Sequence, residues 1–418
     1  MTQAPLSALG EFRNGVNFTA ANKGGGTRLV NVKDIFRSGA FLDLNGLDTV
    51  DLSGAKNLER YSVRAGDIFF VRSSVKRDGI AWVSLARNAA VDAVHCGFVI
   101  RFRPTSSDID PTFLTYQLRS WQCRQRLMNV AGGAAITNIS QSALGEFVVR
   151  VPPVSEQRRT ASILSAYDDL IKNNTGRIAI LEEMARRIYE EWFVHFRFPG
   201  HHGVRLVESR LGLVPEGWRI QAASASMAIN PSTKVPKEGL KPFLAMSCLS
   251  DDSMLIDRPA AREGNSGSKF RNGDTLFARI TPCLENGKTG FVQFLPSDEA
   301  VAFGSTEFIV LRSRTLPPEF VYLLARSHAF RENAIKSMSG ASGRQRVREA
   351  CFDTFWLANP DKETLVKFGE VARPIFRLIQ SLALKNSNLR TTRDLLLPKL
   401  ISGELDVSAI PEPGALAA

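Results

Sequence analysis

The chain has 418 residues, 44% of them hydrophobic and 23% charged, and a net charge of +11. That length predicts two or three domains of about 100–200 residues each, and the composition excludes wholesale disorder. No run of about 18 apolar residues occurs and the first residues lack a basic-then-apolar leader, so the expectation is a cytoplasmic protein without a membrane span.

The basic balance favours a nucleic-acid partner, because neutralising phosphates releases counterions. Cys96, Cys123, Cys248, Cys283 and Cys351 are scattered and never spaced as C-x-x-C, which argues against a disulfide framework or a thiolate metal site. His201-His202 is an adjacent pair in a linker-like stretch and reads as solvated, so no metal site is expected.

Along the chain, residues 1–152 read as a first head. Arg64-Ala65-Gly66-Asp67-Ile68-Phe69-Phe70-Val71-Arg72 is a Gly-Asp turn feeding a short apolar strand that ends on arginine. His95-Cys96-Gly97-Phe98-Val99-Ile100 reads as a further strand, Asp110-Pro111-Thr112-Phe113-Leu114 opens a helix, and Ala131-Gly132-Gly133-Ala134-Ala135 is a small-residue loop. Residues 153–198 read as one long helix. Its seam of Leu164, Tyr167, Ile171, Asn174, Ile178, Leu181, Ala185, Ile188 and Trp192 alternates three and four residues, the spacing of a coiled coil. Ser155 is the expected N-cap, with Arg158 where a capping box would want Glu or Gln. Asn174, the one polar seam position, either fixes register or faces solvent.

Residues 199–217 read as a linker, 218–360 as a second head, 361–404 as a second long helix and 405–418 as a frayed tail. The second head repeats the first at an offset near 207 residues. Arg271-Asn272-Gly273-Asp274-Thr275-Leu276-Phe277-Ala278-Arg279 matches the first Gly-Asp strand. Ser305-Thr306-Glu307-Phe308-Ile309-Val310 matches the strand at His95, Leu316-Pro317-Pro318-Glu319-Phe320-Val321 the helix start, and Ser339-Gly340-Ala341-Ser342-Gly343 the loop. The second seam, Ile375, Ile379, Leu382, Leu389, Leu396 and Leu400, carries Asn386 and Arg393 as polar members, and Pro398 should stop or kink the helix near Leu397. Either helix alone would expose its stripe, so antiparallel pairing of the two is expected, with the heads at opposite ends. The fold class expected is α/β: two pseudo-repeated mixed α/β domains separated by a long antiparallel two-helix coiled-coil spacer.

Several motifs resemble a known family. Pro152-Pro153-Val154-Ser155-Glu156-Gln157-Arg158-Arg159 with Ile163 through Ile171, Leu181-Glu182-Glu183-Met184-Ala185, Trp192 through Phe196, Val214-Pro215-Glu216-Gly217-Trp218 and Leu397-Pro398-Lys399-Leu400-Ile401-Ser402-Gly403-Glu404-Leu405 resemble the spacers and linker of type I restriction-modification specificity subunits. With the duplicated heads, the resemblance covers essentially the whole chain. It implies two target recognition domains, each reading half of a bipartite double-stranded DNA site. It also implies helical spacers that dock two adenine methyltransferase subunits, and motor-nuclease restriction subunits that join for cleavage. S-adenosylmethionine, ATP and Mg are then expected on those partner subunits, and none in this chain.

Enzyme motifs are missing from the sequence. An amino-methyltransferase needs an Asn/Asp-Pro-Pro-aromatic loop to hold a flipped base, and neither Asn359-Pro360-Asp361 nor Val151-Pro152-Pro153-Val154 fits. Asn286-Gly287-Lys288-Thr289 resembles the end of a phosphate loop, but Pro282 stands where its first glycine belongs. Glu285 and Lys288 have the wrong spacing for a metal nuclease, and Asp168-Asp169 reads as a solvated helix face. The chain is therefore expected to be a non-catalytic reader of an asymmetric site. The rival readings are a DNA-binding assembly scaffold without sequence specificity and an unrecognised DNA-modifying enzyme.

Base reading needs forked donors and acceptors on loops or strand ends. In the first head the candidates are Arg72, Ser73, Ser74, Lys76 and Arg77, then Thr137, Asn138 and Ser140. In the second they are Arg279, Thr281, Asn286 and Lys288, then Arg344, Gln345, Arg346 and Arg348. Arg119, Arg124 and Arg126 are expected to anchor phosphates.

Overall fold

The computed structural model describes residues 2–54, 57–90, 92–131, 137–257, 259–341 and 343–411. The chain folds as two units, Met1–Lys172 with Ser387–Ala418, and Asn173–Asn386. Each unit holds one head together with a length of both long helices.

In the first unit, strands Gly10–Asn14, Val99–Pro104, Ile68–Val71 and Val83–Leu85 form an antiparallel four-stranded sheet in that order. All four residues of the central strand Ile68–Val71 are buried, because both of its faces are covered. Ile68 and Phe70 pack with Phe113, Leu114 and Leu118 of the helix Pro111–Arg119. Phe69 and Val71 pack instead with Leu29, Ile35 and Val94. Leu29 and Val94 belong to a second sheet, in which Lys23–Val30 runs parallel to Ala93–His95 and antiparallel to Asp48–Val50. Period-2 alternation thus splits one strand between two cores.

The second unit repeats this plan. Met227–Ile229, Phe308–Ser313, Thr275–Ala278 and Thr289–Phe291 form the corresponding sheet, and Lys241–Leu244 pairs in parallel with Val301–Gly304. Phe277 faces Phe320 and Leu324 of the helix Pro318–Arg326, whereas Leu276 faces Leu244, Phe270 and Val292. The repeated Gly-Asp motif is a structural clip in both heads. Gly66 and Gly273 take φ of 88° and 84°, conformations that disfavour a side chain. They turn a buried aspartate back so that the Arg64 amide donates to Asp67 at 2.7 Å and the Arg271 amide to Asp274 at 2.9 Å. Arg103 and Arg312, on the neighbouring strands, each donate twice to these carboxylates.

The long helices are Val154–Tyr189, which runs on into a π-helical turn at Glu190–Val194, and Lys362–Ser402. Every expected seam position of the first is buried or half-buried. The helix starts one residue ahead of the expected Ser155 cap, and Gln157 ties its first turn to the head by donating to the carbonyls of Asp108 and Pro152. The second helix does not stop near Leu397. It passes Pro374 and Pro398 and ends at Gly403, whose φ is 75°. An internal proline removes one backbone bond at a cost of about 3 kcal/mol, and burial of Leu400 and Ile401 beyond it outweighs that cost. The tail is not frayed directly after the helix either: Val407 turns back and is buried in the first unit's core.

Within the second unit Trp192 meets Phe368 while Asn174 meets Asn386, so residue numbers fall on one helix as they rise on the other and the pairing is antiparallel. The polar seam positions are matched. Asn174 donates to Asn386 at 3.0 Å, and Asn386 donates to Thr175 at 3.3 Å. Asn174 therefore takes the first of its two readings, a buried polar pair that favours one register. In the first unit, Arg393 reaches Asp168, which also accepts the Tyr116 hydroxyl at 2.6 Å, and Asp169 accepts from Arg87. The Asp168-Asp169 pair is thus not a plain solvated face; it joins the head to both helices. Asn174→Ala should cost about 1–3 kcal/mol by orphaning a buried amide, while replacing both Asn174 and Asn386 with Leu should cost less than either single change. Denaturant unfolding of the three variants orders them.

Candidate nucleic-acid interface

Two sequence-distant groups of candidates are brought together in each head. In the first, Ser73-Ser74 pairs antiparallel with Thr137-Asn138, the Ile139 amide donates to the Arg72 carbonyl at 3.0 Å, and Ser73 donates to the Asn138 side chain. In the second, the Thr281 amide donates to the Gln345 carbonyl at 3.1 Å and Gln345 returns a bond to the Thr281 hydroxyl at 3.2 Å. There the Val347 amide donates to the Arg279 carbonyl at 2.9 Å. The same small ladder is built at the end of the Gly-Asp strand in both copies.

In the first head, Ser73, Ser74 and Lys76 border an open cleft of about 780 Å³, which Phe36, Val75, Trp82 and Phe98 also line. Phe98 is 60% exposed and Val75 84% exposed, large apolar surface among polar neighbours. Neither was legible as a site residue, because an isolated Phe or Val in a sequence looks like core. Arg77 lies in a single turn, Arg77–Gly79, beside the cleft residues. Gly132 through Ala135 of the small-residue loop lie outside the described residues.

Other candidates are occupied within the fold. Arg124 is 6% exposed, donates to the carbonyls of Ile80 and Asp78 at 2.6 Å each, and stacks on Trp82. It is a core strut rather than a phosphate anchor, and burial pushes its guanidinium down to about 10. Arg119 stacks on the same ring and donates to Val83, and Arg126 lies over Phe147 and donates to Val148. Lys288 is turned inward to the Leu249 carbonyl at 2.6 Å and to Asp251. Arg72 donates to Gly97, and Arg279 to Glu349 and the Val347 carbonyl. An arginine on a mixed surface buries its stem and spends its donors on carbonyls, which no sequence pattern distinguishes from an outward one.

The outward-facing members are Ser140, Lys76 and Asn138 in the first head and Asn286, Arg344, Arg346 and Arg348 in the second, with Gln345 half-buried. Arg346 forks onto Glu307 through Nε at 2.9 Å and Nη2 at 2.6 Å, which holds the Glu307 carboxyl below its usual range. Glu307 was also missed as a site residue. Among the described residues no group of three or more His, Cys, Asp or Glu could hold a metal ion, and no helix is long and apolar enough to cross a membrane.

Comparison with known proteins supports this architecture. Residues 29–183 match the model of the type I restriction modification DNA specificity domain. The type I restriction enzyme MjaIX specificity subunit of Methanocaldococcus jannaschii is 22% identical over 388 residues, which is 88% of this chain and 86% of that one. The HindI specificity subunit of Haemophilus influenzae is 20% identical over 90% of this chain and 94% of its own length. The crystal structure of the type I restriction-modification S subunit from M. genitalium superposes with a TM-score of 0.57 at 14% identity, covering 96% of this chain and 95% of that one. Duplicated heads, paired long helices and these similarities agree: over most of its length the chain is similar to the specificity subunits of type I restriction-modification enzymes.

Proposed function

We propose that the chain is the double-stranded DNA recognition subunit of a type I restriction-modification complex, reading one half of a split site with each head. The observation that carries this is the pair of equivalent ladders: one backbone scaffold built twice, displaying Asn138 in one copy and Arg346 in the other. A shared scaffold with different outward side chains suits two different half-sites, and hence an asymmetric target.

In this reading the chain is non-catalytic and works in the cytoplasm. Two adenine methyltransferase subunits and the motor-nuclease subunits are its partners, and S-adenosylmethionine, ATP and Mg bind to them. Docking of the methyltransferase is supported by apolar side chains that the paired helices leave uncovered. In the second unit these include Ile180 and Met184, one turn apart on the first helix, and Leu378 and Leu384 on the second. Such surface on a monomer marks a protein contact.

The test is a genome-wide map of methylated adenines in the source organism, with the gene intact and deleted. One split, asymmetric motif should lose its methylation on deletion. An unchanged map, together with purified complex whose DNA binding follows salt but not sequence, would rule out the reader and favour a scaffold.

A further inference from the structure

The backbone pairing defines which residues of the two heads are equivalent. Val71 pairs with Val99 and Ala278 with Phe308, and the clip arginines Arg103 and Arg312 stand at matching places on those strands. Phe98 and Glu307 are therefore counterparts: each carbonyl accepts from the arginine amide that ends the Gly-Asp strand, Arg72 at 2.8 Å and Arg279 at 3.0 Å. On the other side of that arginine, the amides of Ile139 and Val347 bond its carbonyl, which makes Asn138 and Arg346 counterparts as well.

At these two matched positions the chemistry is opposite. The second head carries an ion pair, Arg346 forked onto Glu307, at the surface. The first carries a phenyl ring, 60% exposed, and an exposed amide whose Oδ1 accepts from Ser73. Nothing in the core explains the outward ring, since Phe98 belongs to none of the buried clusters.

The four base-pair edges in the major groove differ in just these terms. An A·T pair offers adenine N7 and N6, which an amide meets with two bonds, and the thymine methyl, the one apolar group on any edge. A G·C pair offers guanine N7 and O6 to an arginine fork, and the cytosine amino group to a carboxylate. Resting on the reading above, we propose that positions 98 and 138 of the first head, and 307 and 346 of the second, are the base-pair-reading elements. The first is set for an A·T pair through Asn138 on adenine and Phe98 on the thymine methyl. The second is set for a G·C pair through Arg346 on guanine and Glu307 on cytosine. Glu307 also keeps Arg346 from acting as an indiscriminate phosphate clamp, because its charge is already matched.

The experiment is binding selection from random duplexes with the tagged full chain, taken from its own cells in whatever complex it forms. Wild type should select a split motif with a T·A-specific position in one half and a G·C-specific position in the other, each discriminating by about 5- to 150-fold. Phe98→Glu with Asn138→Arg should convert that position of the first half to G·C and leave the second half unchanged. Deoxyuridine in place of the thymidine there should weaken wild-type binding several-fold, a result that requires no variant to fold. Arg346→Lys should relax only the G·C position. A soluble double variant with an unaltered motif, or deoxyuridine without effect at every thymidine of the site, overturns the assignment. A wild-type complex that selects no motif at all would instead remove the DNA-reader reading on which it rests.

Discussion

Asp67→Ala should destabilise the first unit by about 3 kcal/mol, and Asp274→Ala the second by as much, because each removes a buried carboxylate and leaves a half-buried arginine without its countercharge. Asp67 is fully buried and accepts three bonds, from the Arg64 amide at 2.7 Å and from Arg103 at 2.6 and 2.7 Å. Without it, Arg103 keeps a single carbonyl partner, Ser62 at 3.1 Å, beside the buried Arg101. The turn then loses its internal acceptor at the same time. Asp274 has the same three partners by position, with Arg312 at 2.7 Å on both oxygens. Asn at either place keeps an acceptor for the turn but not the charge, so Asp67→Asn should fall between wild type and Ala. Asp67→Ala with Arg103→Met should be milder than Asp67→Ala alone, since no orphaned charge remains. Chemical denaturation of the four proteins measures this; a loss under about 1 kcal/mol for Asp67→Ala would mean that water reaches the arginine and the clip is ornamental.

That motif was legible in the sequence as a repeat, but not as an ion pair. Arg-x-Gly-Asp announces a turn, whereas its arginine partner lies on a strand joined only in three dimensions. The seam of the first helix was legible because heptad spacing is a local property, and the reach of the second helix past Pro398 was legible only in Leu400, which keeps the spacing beyond it. What the prolines do depends on the packing beyond them, which spacing does not record. The matching of Asn174 with Asn386 and of Asp168 with Arg393 requires knowing the stagger of the two helices.

The heads were the hardest part to read. Aligning Phe98 with Phe308 follows the aromatic letters, yet backbone pairing matches Val99 to Phe308 and Phe98 to Glu307. A slip of one residue in a strand moves every side chain to the opposite face, so the letters set the outward Phe98 against the buried Phe308. Arg124 and Lys288 erred the other way, as cations whose donors the fold had already used.

Register also produces the last difference between the two heads, a dependence on acid. Val30 pairs in parallel with His95 in the first head, and the matching pair in the second is Leu244 with Gly304. His95 is fully buried, with Nδ1 3.2 Å from the Tyr61 carbonyl and Nε2 3.2 Å from the Arg13 carbonyl. Two carbonyls and Asp67 favour the imidazolium, but burial, with Arg101 adding to it, wins and holds the ring at about 4 instead of 6.5. The folded chain therefore refuses a proton that the unfolded chain accepts. Above pH 6.5 the difference vanishes and stability is full; as pH falls from 6.5 towards 4, the unfolded state binds the extra proton and gains ground. At pH 5, about 1.5 pH units into that window, the first unit should have lost about 2 kcal/mol from this group. His95→Gln keeps a side-chain donor near the carbonyls and cannot titrate, so its stability should be flatter across that window even if lower at pH 7. The second unit, with Gly304 at the equivalent place, serves as the internal control. Hydrogen exchange at pH 7 and pH 5 resolves the two units in one chain: amides of Ile68–Val71 should lose protection in acid relative to those of Thr275–Ala278, and His95→Gln should erase the difference. Equal loss in both units, or the same loss in the variant, would place the acid sensitivity elsewhere.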